Sequence, residues 1–339
     1  MRIGKTEVRE GRAYIIADVG SNFNGSLDLA RAYIDAGKEI GVDAVKFQTY
    51  RASTLLNALK PDGERWAAYD VVKKYELPWE WHQELFEHAK RVGVEFLSTP
   101  FDLEIVAELD RMGMQAFKIA SGDLTFTLLL QTVGSFGKPV ILSTGMADLE
   151  EIRTAVQTLR ESGALEIALL HCVSNYPPRF EQVNLRAMKS MREAFGLQVG
   201  LSDHTPGNAT ALGAIALGAS VIEKHITMDK QLGTPDAPFA MTIAQFETMV
   251  IEIRNLEKAL GDGVKSPAED ERPERIWARR GIYARTDVEA GKPLTLEDVK
   301  FVRPADGIAA SDWEYFKGKK LKVRLPKDRP LRREYLYES

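Results

Sequence analysis

The 339 residues encode an α/β protein, a (β/α)8 barrel of the TIM-barrel type followed by a small β-rich domain. Three observations carry this expectation. Eight short β-rich runs alternate with longer amphipathic patterns, and strand–helix alternation implies a parallel sheet. The eight units fill about 250 residues, the usual span of a closed barrel. After Leu260 the texture changes to charge, Gly and Pro, and then to short β-like pieces separated by turns. A doubly wound open sheet is the alternative that the same alternation allows.

The runs come in order as "AYIIADVG" (13–20), "DAVKFQT" (43–49), "VEFLSTPF" (94–101) and "QAFKIAS" (115–121). They continue with "KPVILSTG" (138–145), "IALLHC" (167–172), "LQVGLSDH" (197–204) and "ASVIEKHIT" (219–227). Each interval holds a helical pattern, and "TIAQFETMVIEIRNLEKAL" (242–260) completes the eighth unit. A glycine closes several helices just before the next strand, as in "EIGVDAV", "RVGVEF", "RMGMQAF" and "ALGASV", where a left-handed residue ends a helix cheaply. The barrel is expected over 1–261, a linker over 262–276, and the small domain over 277–339. A domain of about 60 residues is near the size limit for folding alone.

Composition excludes several classes. No apolar run approaches the ~20 residues of a membrane span, and "MRIGKTEVREGR" lacks the apolar core of a signal peptide. A net charge of −4 argues against nucleic acid as a partner. The single cysteine, Cys172, fits a reducing compartment, and a cytoplasmic protein is expected.

A barrel places its active site at the C-terminal strand ends. That rule selects Asp18, Lys46, Gln48, Ser98, Thr99, Lys118, Ser121, Ser143, Thr144, His171, Ser202, Asp203, His204, Glu223, Lys224 and His225. One strand-end lysine is usually solvated or salt-bridged. Three of them on three strands, with hydroxyls between, suit phosphate and carboxylate oxygens through charge-assisted hydrogen bonds. The expected ligand is therefore small and multiply anionic. Cys172 reads as a buried, inert thiol. His82 and His88 in "WEWHQELFEHAKRV" read as surface helix residues, with Trp79 and Trp81 as packing.

The motifs "VKFQTY", "FLSTPFD", "KIASGDL", "VILSTGMADLEEI", "LLHCVSNYP", "VGLSDHTPG" and "VIEKHIT" together resemble the sialic acid synthase family. The tail "RRGIYARTDVEAGKPLTLEDVKFVRPADGI" is similar to the antifreeze-like (SAF) domain that ends those enzymes. The resemblance implies a transferase of carbohydrate and polysaccharide biosynthesis. It would condense phosphoenolpyruvate with an N-acylated hexose-type aldose, giving a nine-carbon 3-deoxy-ulosonic acid and phosphate by C–O cleavage. It implies phosphoenolpyruvate contacts at Lys46, Thr99, Lys118, Ser121, Ser143, Asn175, Ser202 and Lys224. Acceptor contacts would fall at Gln48, Tyr176 and Arg303, and catalytic roles at Asp18, Lys46, Tyr176 and Lys224. A divalent metal, typically manganese, and a domain-swapped homodimer are implied as well.

Two motifs depart from the family pattern, at three positions. "AEIGxNHxG" is replaced by "ADVGSNFNG", which puts Asp18 for glutamate and Phe23 for histidine. "PGPDHxxS" is replaced by "GTPDAPFAM", which puts Ala237 where a second metal histidine is expected. Three outcomes stay open. Asp236 or Asp18 completes a metal site with His225; or the reaction runs without metal, with Lys224 or another cation polarising the aldehyde; or the chain is a ligand-binding paralogue without catalysis. A 3-deoxy sugar acid synthase acting on a different aldose is a further alternative.

Overall fold

The computed structural model describes residues 1–337. All eight runs are strands: β1 (Tyr14–Asp18), β2 (Ala44–Thr49), β3 (Glu95–Pro100), β4 (Phe117–Ile119), β5 (Val140–Ser143), β6 (Ile167–Cys172), β7 (Gln198–Asp203) and β8 (Val221–Thr227). They pair in parallel in the order β3-β2-β1-β8-β7-β6-β5-β4. β3 and β4 lie side by side, which brings the two ends of this path together in a nearly closed barrel. The open-sheet alternative falls with that neighbourhood.

The helices that follow the strands are α1 (Leu27–Glu39), α2 (Trp79–Val92), α3 (Leu103–Met112), α4 (Thr127–Ser135), α5 (Leu149–Glu161), α6 (Ala187–Phe195), α7 (Ala209–Ala216) and α8 (Ile243–Leu260). Local chemistry sets their ends. Ser26 and Asp102 cap α1 and α3 with side-chain oxygens, and Asp148 with Glu151 closes a capping box on α5. Gly93 and Gly113 end α2 and α3 at φ of 82° and 103°, the left-handed turn expected from "GV" and "GM".

Side chains alternate along each strand. One set faces the helices, where Ile15, Val45, Phe47, Phe96, Leu142 and Ile222 join the main core. The other set faces the barrel axis, where Tyr14, Ile16, Ala44, Leu97, Ile141, Leu170 and Val221 fill the lower interior. An N-terminal hairpin, Arg2–Ile3 with Thr6–Glu7, adds Ile3 and Val8 to that inner cluster. Polar residues can therefore occupy the axis only above this apolar plug.

The structure divides into two compact units, Met1–Gly261 and Asp262–Ser339. The second has its own core of Ile282, Val288, Leu294, Ile308, Trp313, Phe316, Leu325 and Leu331. It is built on an antiparallel pair, Gly281–Ala284 with Val299–Val302. The stretch expected as a linker carries a 3-10 turn, Glu269–Glu271, and a short helix, Arg272–Trp277.

The expectation of a surface His82 is wrong. Its ring is fully buried, with Nε2 2.7 Å from Thr49 Oγ1 and Nδ1 3.2 Å from the Pro78 carbonyl oxygen. Burial holds its pKa down at about 4. His88 is half-buried and pairs with Asp35 at 2.6 Å. Trp81 packs on the core, while Trp79 stacks on His82 at 4.6 Å.

Candidate active site

The strand ends enclose a cavity of about 540 Å³. Its floor holds two cations and two carboxylates from four strands. Lys46 Nζ is 3.0 Å from Asp18 Oδ1, 3.3 Å from Thr99 Oγ1 and 3.9 Å from Glu223 Oε2. Lys118 Nζ donates to Ser143 Oγ at 2.7 Å and lies 3.4 Å from Glu223 Oε1. Asp18 and Lys46 are register partners, as are His225 and Asp18, so the ladder itself places the side chains together.

Burial works on each charge, and the partners decide the outcome. Burial alone would raise the Asp18 pKa, but Lys46, His225 and Gln48 outweigh it and bring it down to about 2. Burial would lower the Lys46 pKa, but Asp18 and Glu223 raise it instead. For Lys118 burial wins over the attraction of Glu223, and its pKa is lowered. Gln48 Nε2 donates to Asp18 Oδ2 at 3.0 Å and fixes the carboxylate.

Four buried polar atoms on this cavity's wall have no hydrogen-bond partner: Asp123 Oδ2, Ser174 Oγ, Glu223 Oε2 and His225 Nδ1. Only three others occur elsewhere among the described residues. Orphaned polar atoms cost free energy unless something else satisfies them. Their concentration here is what a site built for a polar ligand looks like.

Of the expected site residues, Asp18, Lys46, Gln48, Thr99, Lys118, Ser121, Ser143, Tyr176, Ser202 and His225 line the cavity. Lys224 does not. Its neighbours Glu223 and His225 face the axis, so strand alternation turns it outward. There Nζ donates to Asp203 Oδ2 at 2.7 Å and to the Thr205 carbonyl at 2.5 Å, and its side chain is 2% exposed. Ser98, Thr144, His171 and Asp203 also turn away: Ser98 bonds Thr49, and His171 Nε2 meets the Val183 carbonyl oxygen. Asn175 is exposed and off the lining; Ser174 takes the place expected for it. Asp236 is also off the lining, with Oδ2 accepting from the Ser21 N–H at 2.7 Å and Ser21 Oγ at 2.8 Å. Arg303 is exposed in the second unit.

The two departures from the family pattern do not empty the site of imidazoles. Phe23 is a core residue, edge-on to Trp81 at 6.4 Å, and Ala237 is fully buried. A second imidazole stands beside His225 all the same: His204, from the end of β7, at 5.3 Å between ring centroids. The loop at Ala237 supplies no imidazole; the ring beside His225 comes from His204, a strand-end residue. Burial and His225 hold the His204 pKa down at about 4, so the ring is neutral, the ligating form. His204 Nδ1 faces the Val173 carbonyl oxygen at 3.4 Å, and His225 Nδ1 is one of the orphans. Among the described residues, no group of three or more His, Cys, Asp or Glu could hold a metal ion. His204 and His225 are the two imidazoles that line the cavity.

Above the floor the mouth becomes apolar, with Leu55, Phe101, Met146 and Tyr176. The Tyr176 ring lies 4.4 Å from His204 and 5.4 Å from Phe239. Cys172 is buried on the lining, and burial raises its thiol pKa, as an inert cysteine requires. Two serine hydroxyls close on Gly145. A Cβ there would lie 2.3 Å from Ser174 Oγ and 2.9 Å from Ser121 Oγ. Its N–H donates to Ser121 Oγ at 2.9 Å.

Sequence reasoning missed Asp123, Ser174 and Gly145; it selected His204 and Glu223 as strand-end candidates without giving either a particular role. The parity of strand side chains was the available signal. Cys172, Ser174 and Tyr176 share one parity, as do Ser202 with His204 and Glu223 with His225.

Comparisons with known proteins agree with the fold. Residues 33–265 match the NeuB family and residues 279–334 match the SAF domain. N,N'-diacetyllegionaminic acid synthase of Campylobacter jejuni is 40% identical over 318 residues, covering 91% of this chain and 95% of that protein. Pseudaminic acid synthase of the same organism is 36% identical, covering 94% and 95%. The crystal structure of N-acetylneuraminic acid (sialic acid) synthetase from Leptospira borgpetersenii, in complex with citrate, superposes with a TM-score of 0.75. It is 32% identical and covers 81% of this chain and 94% of that one. No helix of the described residues is long and apolar enough to cross a membrane.

Proposed function

The chain belongs to the NeuB family and is a sugar-acid synthase, and from that premise we propose that it condenses phosphoenolpyruvate with an N-acylated hexose-type aldose. The observation that carries the reading is the floor: Lys46 and Lys118 from the strands on either side of β3, with unsatisfied polar atoms around them. Phosphoenolpyruvate presents a phosphate and a carboxylate close together, and two buried ammonium groups with convergent hydroxyls match it. Lys46, Thr99, Lys118, Ser121, Ser143 and Ser202 are assigned to the donor, with Ser174 in place of Asn175.

The acceptor is assigned to the side bearing Gln48, Tyr176, His204 and His225. The apolar mouth suits the methyl groups of acetamido substituents, and the name of one relative specifies two N-acetyl groups. Asp18, ionised at every physiological pH, cannot donate a proton; it orients Lys46 and His225 and holds negative charge beside the reacting carbonyl.

Charge supports a divalent cation. Asp18 and Glu223 cancel Lys46 and Lys118, so a multiply anionic donor brings uncompensated negative charge. His204 and His225 would hold the ion, with manganese as the preferred candidate. Such an ion, when bound, polarises the aldehyde as a Lewis acid. A homodimer, with the SAF domain of one chain serving the barrel of the other and Arg303 meeting the acceptor there, belongs to the same proposal.

The test is acceptor-dependent phosphate release from phosphoenolpyruvate over a panel of mono- and di-N-acetylated aldoses. Release with at least one of them, lost in Lys118→Ala, is expected. No release with any acceptor, in manganese or without it, contradicts the reading.

A further inference from the structure

We propose that Asp123 is a further catalytic group of this cavity, carrying a proton from the attacking water to the departing phosphate. The inference rests on the synthase reading above. Asp123 follows Ser121 and Gly122 beyond the end of β4, and all three line the cavity. It therefore stands on the wall assigned to the donor, while the imidazole pair comes from β7 and β8.

Its surroundings differ from those of the other carboxylates. Asp18 and Glu223 each face a lysine. Asp123 has no ion pair among the described residues, and its buried Oδ2 has no hydrogen-bond partner. The charged and titratable groups sharing the space are Lys118 on the strand before it, Lys46, Asp18 and Glu223 on the floor, and Cys172, Tyr176, His204 and His225 from β6 to β8. None offsets the burial of Asp123, which pushes its pKa up to about 6, whereas Asp18 is brought down to about 2. Two carboxyls whose environments drive them apart in this way divide the work: one stays charged, and the other exchanges a proton near neutral pH.

The step balances as follows. C3 of phosphoenolpyruvate forms a bond to the aldehyde carbon, and the carbonyl electron pair moves onto the aldehyde oxygen. The water oxygen bonds to C2 as one of its protons passes to the Asp123 carboxylate. The C2–O bond to phosphate then breaks, its electron pair leaves with the phosphate, and Asp123 returns the proton to that group. The second water proton leaves as C2 becomes a ketone, and the net proton balance leaves one proton on the former aldehyde oxygen.

The experiment is Asp123→Asn in the full chain, read by phosphate release against pH and by phosphoenolpyruvate calorimetry. The expected kcat loss is about 10²–10⁴-fold, the usual contribution of a general acid–base group. Phosphoenolpyruvate affinity should stay within about threefold, and the wild-type inflection near pH 6 should disappear. Asp123→Glu should recover activity and keep an inflection at a displaced pH. If the amide variant does not fold, that displacement carries the test. A kcat within about threefold of wild type, an unmoved inflection in Asp123→Glu, or a loss confined to phosphoenolpyruvate affinity overturns the assignment alone. A wild type that releases no phosphate overturns the synthase reading, and this role with it.

Discussion

Lys118 and Lys224 are both buried, with side chains 3% and 2% exposed, yet they should fail in opposite ways when replaced by methionine. Lys224 sits outside the cavity against Asp203, which also accepts from Thr205 and Thr210. Lys224→Met leaves that carboxylate buried without its cation, which costs about 3–5 kcal/mol. At roughly 2–4 °C per kcal/mol for a unit of this size, Tm should fall by about 6–20 °C. At a temperature where the variant is folded, phosphoenolpyruvate affinity should be unchanged. Lys118→Met removes one charge-assisted contact worth about 1.5–3 kcal/mol, so affinity should fall roughly 10- to 150-fold. Thermal unfolding and calorimetry on both variants make the assay. If Lys224→Met keeps the wild-type Tm and loses the ligand, the outward placement of Lys224 is refuted.

Three other outcomes follow from the same geometry. Gly145→Ala would put a methyl carbon 2.3 Å from Ser174 Oγ, so phosphoenolpyruvate binding should weaken by roughly tenfold or more in calorimetry while the far-UV spectrum is retained. His82 and His204 both have folded pKa values of about 4 against 6.5 unfolded. The unfolded state then binds more protons between those values, so stability is full above about pH 6.5 and falls as pH drops toward 4. The raised pKa of Asp123 opposes part of this. Urea unfolding at pH 5 should give about 2–4 kcal/mol less than at pH 7, and equal values would contradict it. His204→Ala and His225→Ala should each weaken manganese binding by roughly tenfold or more in a metal titration; an unchanged affinity in both would remove the metal from these rings.

The strands and their order in the chain were legible because period-2 apolar runs and helix-ending glycines are local signals. The floor was legible too, since polar residues at the ends of buried strands stand out. What failed was the use of spacing. "EKH" reads as three site residues, but consecutive strand residues face opposite sides, and only Glu223 and His225 can face the axis. The same step separates Ser174 from Asn175. His82 was misread because "WEWHQELFEHAKRV" is polar on average, while the partner that buries its ring, Thr49, is 33 residues away. The second imidazole was sought in the loop at Ala237, although "GLSDH" already held His204 at a strand end.

The most direct measurement follows the bridging oxygen of phosphoenolpyruvate, labelled with ¹⁸O, through a complete reaction with an N-acetylated aldose. The account predicts acceptor-dependent phosphate that carries the label, because C2–O breaks and the bridging oxygen leaves with phosphorus. Phosphate without label, or none that depends on the acceptor, would contradict it.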